Sequence, residues 1–171
     1  MILHPILETE RLIMRVPEMA DFAAYRAILL ADAEGYLGGP FDADDAWDEY
    51  CKMRGRWALR GTGQFAVTLK DGTLIGFCGV DKERDDPADE LGYLFLPAFH
   101  GKGYGTEAAL AARDFARNTL GIRLLVSCVS NENAASVALA RKLGAVPAPE
   151  LYSTKMGDVT IYRHPEPEVA L

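Results

Sequence analysis

The chain has 171 residues, 49% of them hydrophobic and 25% charged, the length and balance of one folded domain with a real core. A formal net charge of −7 argues against a surface built for nucleic-acid phosphates and favours a neutral or cationic partner. Three scattered cysteines without a CxxC exclude a disulfide framework and a zinc ribbon, and no apolar run nears the roughly 20 residues that span a bilayer.

In chain order, MILHPILETE lacks the basic-then-apolar pattern of a leader, so the expectation is a cytoplasmic protein with no membrane association and no bound metal. RLIMRV (Arg11–Val16) reads as a first strand. Glu18 to Leu30 has helical spacing through Met19, Phe22, Ala23 and Ile28. A second helix starts at Asp42 or Asp44 and runs to about Arg60, with acids in its first turn and arginines near its end, as the helix dipole favours. QFAVTL and TLIGFCGV, joined by Lys70-Asp71-Gly72, read as a hairpin. ELGYLFL (Glu90–Leu96) is a further strand, followed by a helix from Gly103 to Thr119 and a strand at Arg123–Val129. Asn133 to Leu143 is a helix stopped by Gly144, and Asp158–His164 is a last strand. Cys78 and Cys128 sit in apolar strand runs and read as small core residues. The order βααβββαβαβ predicts an α/β fold in residues 1–165. Its central sheet is mixed, of about six or seven strands, with helices on both faces, and residues 166–171 form a tail.

The stretch HGKGYGTEAALAARDFA sets three glycines, Gly101, Gly103 and Gly105, at the mouth of a helix. Glycine lets a backbone approach a ligand, and the first amides of a helix are free donors with partial positive charge, so the loop reads as an anion cradle. Lys102 adds a cation and Thr106 a hydroxyl. The P-loop pattern GxxxxGK[ST] is absent. The dinucleotide pattern fails too, because the spacing is GxGxG and the next strand, RLLVSCVS, ends without an acid.

With its flanks, the loop resembles that of the GNAT N-acetyltransferases, and more closely their RimJ/RimL branch, which acetylates ribosomal proteins. The family's R/Q-x-x-G-x-G/A loop corresponds to His100-Gly101-Lys102-Gly103-Tyr104-Gly105, with His in the first place. Its N-x-x-[AS] signature corresponds to Asn133-Ala134-Ala135-Ser136. The openings LETERLIMRVPEMADF and GQFAVTLKDGTLIGFCGV fit as well. The resemblance implies a GNAT fold and acetyl-CoA as cosubstrate. It implies that the pyrophosphate of CoA sits on amides from Gly101 to Thr106, with His100 and Lys102 beside it. It places the pantetheine arm along Leu94, Phe95 and Leu96, with Asn133 on the arm's amide side, in a slot opened by a bulge in the Glu90–Leu96 strand. Family members are often dimers, so a homodimer is an expected assembly.

The implied reaction is direct attack of an amine on the thioester. No Ser-His-Asp or Cys-His arrangement is suggested, so no acyl-enzyme is expected. Many family members carry a tyrosine acid seven residues after the signature Asn, where this chain has Ala140. Ser136 is the candidate substitute and Glu90 the candidate base, while Tyr93 and Tyr104 read as slot lining and Glu107 as a dipole-matching acid. The acceptor is assigned to residues 31–63, through Tyr36, Phe41 and Trp47 and the acids from Asp42 to Glu49. An acidic, aromatic lip suits an amine. A protein N-terminus is one acceptor; a polyamine, an aminoglycoside or another small amine is the alternative. A non-catalytic acyl-CoA sensor is a third reading.

Overall fold

The computed structural model describes residues 5–83, 86, 88–152 and 157–166. The predicted tail therefore lies almost wholly outside the described residues. The elements are β1 (Ile6–Glu8), β2 (Leu12–Arg15), α1 (Phe22–Leu30), α2 (Ala43–Arg60), β3 (Gly63–Leu69), β4 (Leu74–Asp81), β5 (Asp89–Phe95), α3 (Tyr104–Asn118), β6 (Leu125–Ser130), α4 (Ala134–Lys142), β7 (Val146–Pro147) and β8 (Val159–Arg163). They form one mixed sheet of eight strands in the order β1-β2-β3-β4-β5-β6-β8-β7. The two strands beyond the expected count, β1 and β7, are three and two residues long, too short to show an alternating pattern in sequence.

Side-chain alternation sends two cores to the two faces. Phe65, Val67, Cys78, Val80 and Leu91 join the alanine face of α3, while Ala66, Phe77 and Leu94 join Tyr25, Ile28, Tyr50 and Met53 of α1 and α2. The alanines of α3 let it sit close on the sheet: Ala108, Ala109, Ala112 and Ala116 are fully buried. At the far end of α2, Trp57 stacks edge-on against Phe65 and donates from Nε1 to the Gln64 carbonyl at 2.9 Å. The acids at the start of α2 serve as its cap. Asp42 accepts from the amides of Asp44 and Asp45, and the Asp45 carboxylate returns a bond to the Asp42 amide.

The feature that positions the site is a failure of pairing. β5 and β6 are parallel neighbours joined through α3, yet only two residue pairs form, Asp89↔Leu125 and Glu90↔Val126. Beyond them the strands splay. The expected bulge in β5 is absent from its other edge, where the ladder to β4 runs without a register shift from Asp81↔Glu90 to Gly76↔Phe95; the sheet's irregularity lies between Val67 and Thr68 instead. The slot is thus made by strands parting, not by an extra residue. Side chains plug the two backbone groups just past the last pair. The Ser127 hydroxyl donates to the Leu91 carbonyl at 2.7 Å, and the Cys128 amide donates to Glu90 Oε1 at 3.0 Å. Because Ser127 spends its proton on Leu91, it accepts from Nε2–H of the buried His164 at 3.0 Å.

Candidate active site

Two cavities open into the splay from opposite sides. The larger, about 610 Å³, is lined by β5 from Tyr93 to Phe95, the loop from His100 to Thr106, and α4 residues from Asn133 to Lys142. The smaller, about 300 Å³, lies over β3, β4 and the start of β5, under α1 and α2. Tyr36, Leu37, Tyr93, Leu94, Asn133 and Ser136 line both.

The larger cavity contains the glycine loop. Gly101 and Gly103 adopt left-handed φ angles of +73° and +82°, which an L side chain resists, and Gly103 caps α3 with its amides turned outward. Gly105 lines the same cavity and also has a packing role. It lies inside α3, where a Cβ would meet Leu139 at 3.3 Å and Phe95 at 3.6 Å, so it lets α3 pack on α4 and β5. Lys102 is exposed, with its ammonium 5.3 Å from the centroid of the Phe99 ring, and is not among the residues that line the cavity. His100 turns its Nε2 onto the Phe95 carbonyl at 2.8 Å, which commits that nitrogen to the loop itself.

A cation that the sequence did not flag holds the loop. Arg11, in the β1–β2 turn, donates to the Lys102 carbonyl at 3.0 Å and lies over the Tyr104 ring at 4.6 Å. It also pairs with Glu107 at 2.7 Å. Glu107 additionally accepts from the Thr9 hydroxyl and the Arg11 amide, so its role is to tie the sheet edge to the start of α3. Burial pushes its carboxyl up, but these donors outweigh burial and hold it below the ordinary value. Only the separation in sequence concealed Arg11, which stands 91 residues from Lys102.

Along β5, the Leu96 amide donates to the Ile75 carbonyl at 2.9 Å, so by alternation Leu94 and Leu96 direct their backbone at β4. The pairing groups that face the splay belong to Tyr93 and Phe95. The expected strand-like partner of a pantetheine arm therefore shifts by one residue, while the Leu94 side chain still lines both cavities. Tyr93 reaches across the gap and donates from its hydroxyl to the Ser136 carbonyl at 3.2 Å, and burial pushes its phenol up. Asn133 caps α4 by accepting from the Ser136 amide at 3.0 Å, which leaves its NH₂ for a ligand. The Ser136 hydroxyl makes no hydrogen bond among the described residues. Ala140 is fully buried against Val129, Ala145 and Tyr162, so position 140 has no access to either cavity in this chain.

The smaller cavity is acidic. Its described lining carries five carboxylates against Arg56 and Lys82, and Arg56 is already held by Asp81 at 2.8 Å and Glu83 at 2.9 Å. Glu90 lies on this wall. Burial raises its carboxyl from 4.5 to about 7, against the lowering effect of the Cys128 amide. Oε1 takes that amide, and the Cys128 thiol also lies against the carboxylate. Cys128 is half-buried and lines the cavity, unlike the fully buried Cys78.

Of the expected acceptor aromatics, only Tyr36 lines the cavities. Phe41 packs into the core under α1 and α2, and Trp47 stacks on Phe22 at 5.1 Å on the outer side. The reason is helical phase: the buried stripe of α2 runs through Ala46, Tyr50, Met53 and Trp57, which turns Glu49, Met53 and Arg56 to the cavity and Trp47 away from it. The acids of the expected lip reduce to Glu49.

The donors fit an acyl-CoA. Left-handed glycines, outward helix amides and the unpaired edge of β5 line one continuous cavity, and the same cavity reaches the splay. No helix among the described residues is long and apolar enough to cross a membrane.

Comparison with known proteins agrees with this geometry. An acetyltransferase from Agrobacterium tumefaciens strain C58, known by its crystal structure, is 36% identical, with a TM-score of 0.88 over 95% of each chain. The uncharacterized N-acetyltransferase YnaD of Bacillus subtilis is 28% identical over 141 residues, 81% of each chain. RimJ of Mycobacterium smegmatis, solved in complex with CoA-disulfide, shares the fold at 20% identity and a TM-score of 0.70, over 92% of this chain and 82% of its own. Residues 11–146 match the acetyltransferase (GNAT) domain family, and the chain belongs to that family as a GNAT N-acetyltransferase; the family implies acetyl-CoA as cosubstrate.

Proposed function

We propose that the protein transfers the acetyl group of acetyl-CoA to a primary amine that enters through the acidic cavity and attacks the thioester directly. The observation that carries this reading is the pair of cavities meeting at the parted strands, one with an anion cradle and one with surplus carboxylates. The thioester supplies an activated acyl group; the chain's residues position it and move protons. The Tyr93 and Phe95 backbone, free at the splay, orients the donor arm with the NH₂ group of Asn133. Glu90, with a carboxyl near neutrality, takes the amine's proton directly or through one water. The Ser136 hydroxyl is the donor for the departing sulfur. Its support is position: it lines both cavities and has no other partner among the described residues.

A cavity of about 300 Å³ admits a narrow amine head and excludes a bulky one. A protein N-terminal residue and a small free amine both meet that limit, and likeness of fold to RimJ does not choose between them. The test is thiol release from acetyl-CoA with a panel of small amines and N-terminal peptides, beside calorimetry with acetyl-CoA and NAD(H). Turnover with at least one amine, and binding of acetyl-CoA but not NAD(H), is the expected result. Tight acetyl-CoA binding with no turnover of any amine would replace this reading with the acyl-CoA sensor.

A further inference from the structure

The larger cavity has a direction along α4. Asn133 and Ser136 stand at the splay, and Ala135, Ala138, Leu139 and Lys142 carry the lining onward as one face of the helix. Leu139 marks the contact with α3, since a Cβ on Gly105 would stand 3.3 Å from it. Lys142 lies one turn beyond that contact, on the side of the glycine loop away from the splay. Helical side chains lean toward the N-terminus of their own helix, so the Lys142 stem leads back over Leu139 toward the loop.

Lys142 is exposed, makes no ion pair among the described residues, and is the only lysine or arginine among those that line this cavity. The other positive groups around the loop are engaged: His100 holds the Phe95 carbonyl by Nε2, and Arg11 holds Glu107 and the Lys102 carbonyl. The carboxylate on the described lining, Asp32, accepts from the Tyr36 and Leu37 amides, beside the splay. At the other end, the carbonyls of α4 that would repel an anion are occupied. Those of Ala140 and Arg141 accept from the Ala145 and Gly144 amides, and that of Leu143 accepts from Arg113 at 2.7 Å. An uncommitted ammonium beyond an anion cradle calls for a second anion on the same ligand, separated from the first.

We propose that Lys142 is a specificity-determining residue of the donor site, whose ammonium pairs with the 3′-phosphate on the ribose of CoA. This rests on the acetyl-transfer reading above and narrows its donor. With the thioester at the splay and the pyrophosphate on the amides of the glycine loop, the order of groups in CoA brings the ribose and its phosphate to the far side of the loop, where Lys142 stands. The loop and the edge of β5 answer to groups that acetyl-CoA shares with acetyl-dephospho-CoA. Lys142 answers to the one group that separates the two. The protein therefore prefers acetyl-CoA to the same thioester without its 3′-phosphate, and because the pair is partly exposed, the preference is modest and weakens with salt.

The experiment measures the affinities of acetyl-CoA and acetyl-dephospho-CoA by calorimetry, at low ionic strength and at ~0.3 M salt. It uses the wild-type chain, Lys142→Gln, Lys142→Arg and Arg141→Gln, with melting temperature recorded for each. The wild type should bind acetyl-CoA about fivefold tighter at low salt, the scale of one partly exposed ion pair, and the ratio should shrink in high salt. Lys142→Gln should bring the ratio close to one by weakening acetyl-CoA alone, and Lys142→Arg should keep it. Arg141→Gln removes the same charge one position away, from a side chain that does not line the cavity, and should also keep it. Equal affinities in the wild type, or a ratio that survives Lys142→Gln, overturns the assignment and leaves acetyl-CoA binding standing. A ratio that collapses as fully in Arg141→Gln as in Lys142→Gln overturns it too, because the preference would then belong to net charge. Failure of the wild type to bind either thioester overturns both the assignment and the acetyl-transfer reading beneath it.

Discussion

Replacing Glu90 by Gln keeps the shape of the side chain, and its amide oxygen can still accept the Cys128 N–H, while the charge and the proton acceptor are lost. The Glu90 carboxyl is raised from 4.5 to about 7, mainly by burial. At ~1.4 kcal/mol per pH unit, that displacement represents about 3 kcal/mol of unfavourable interaction with the ionised form. Below pH 4.5 the group is protonated in the folded and unfolded chains alike and carries no penalty. As pH rises from 4.5 to 7, the unfolded chain releases the proton and the folded chain keeps it, so the wild type loses stability; above 7 the whole penalty is present. Glu90→Gln should therefore match the wild type near pH 4 and exceed it by up to ~3 kcal/mol above pH 7, read as melting temperature across pH 4–8.5. The same variant should lose roughly 10²- to 10⁴-fold in kcat, the typical contribution of a general base. Its acetyl-CoA affinity should hold, and the rising limb of its pH–rate profile should move alkaline. Asp89→Asn is the control, since Asp89 reaches Arg60 at 3.6 Å and does not line the cavity. A variant that gains stability with pH as described but keeps near-full kcat at every pH would show a buried carboxyl that is not the base. A variant with no pH-dependent gain would refute the burial argument itself.

Gly103→Val should weaken acetyl-CoA binding by calorimetry far more than it lowers the melting temperature, because a β-branched residue resists φ +82° at the mouth of the cavity; unchanged affinity would reduce the loop to a turn. Gly105→Val should do the reverse and cost about 1–3 kcal/mol of stability through Leu139 and Phe95, which denaturant unfolding would read. Arg11→Ala releases Glu107, the Lys102 carbonyl and the Tyr104 ring together, so acetyl-CoA affinity should fall while kcat at saturation changes little. His164 is fully buried, and burial followed by Arg113 and Arg117 lowers it from 6.5 to about 4, so stability should be lost as pH falls from 6.5 to 4. His164→Gln should flatten the acid limb of the stability curve across that interval, and an unaltered limb would count against a neutral buried imidazole.

The parts of the molecule legible in sequence are those set by local pattern. Period-two runs located β3, β4, β5, β6 and β8, and the glycine loop with Asn133-Ala134-Ala135-Ser136 located the larger cavity. What escaped depends on relations between distant residues. Arg11 looks like an ordinary strand-flanking arginine until the β1–β2 turn lies against α3. Trp47 and Glu49 are two positions apart on α2, yet about 200° of helical rotation separates them, and composition names both without saying which one faces the cavity.

The parted strands explain why Glu90 could be singled out in sequence while its structural role could not. A parallel pair that stops after two residues leaves a carbonyl and an amide facing a gap, and such groups ordinarily pull strands together or take up water. Here Ser127 takes the Leu91 carbonyl, and Glu90 takes the Cys128 amide. The opening is held by the protein itself before any ligand arrives. Behind it, His164 supports Ser127 from its Nε2–H, and burial keeps the imidazole neutral above about pH 4. The same arrangement fixes Glu90 by one oxygen and turns the carboxylate into a low-dielectric setting, which raises it toward neutrality. Structural and chemical demands therefore fall on one side chain. A glutamate that only plugged the ladder could be replaced by glutamine without loss, and one that served only as a base would gain nothing from the Cys128 amide. In the proposed transfer, glutamate alone meets both demands, with Oε1 holding the strand and the carboxylate serving as the amine's proton acceptor.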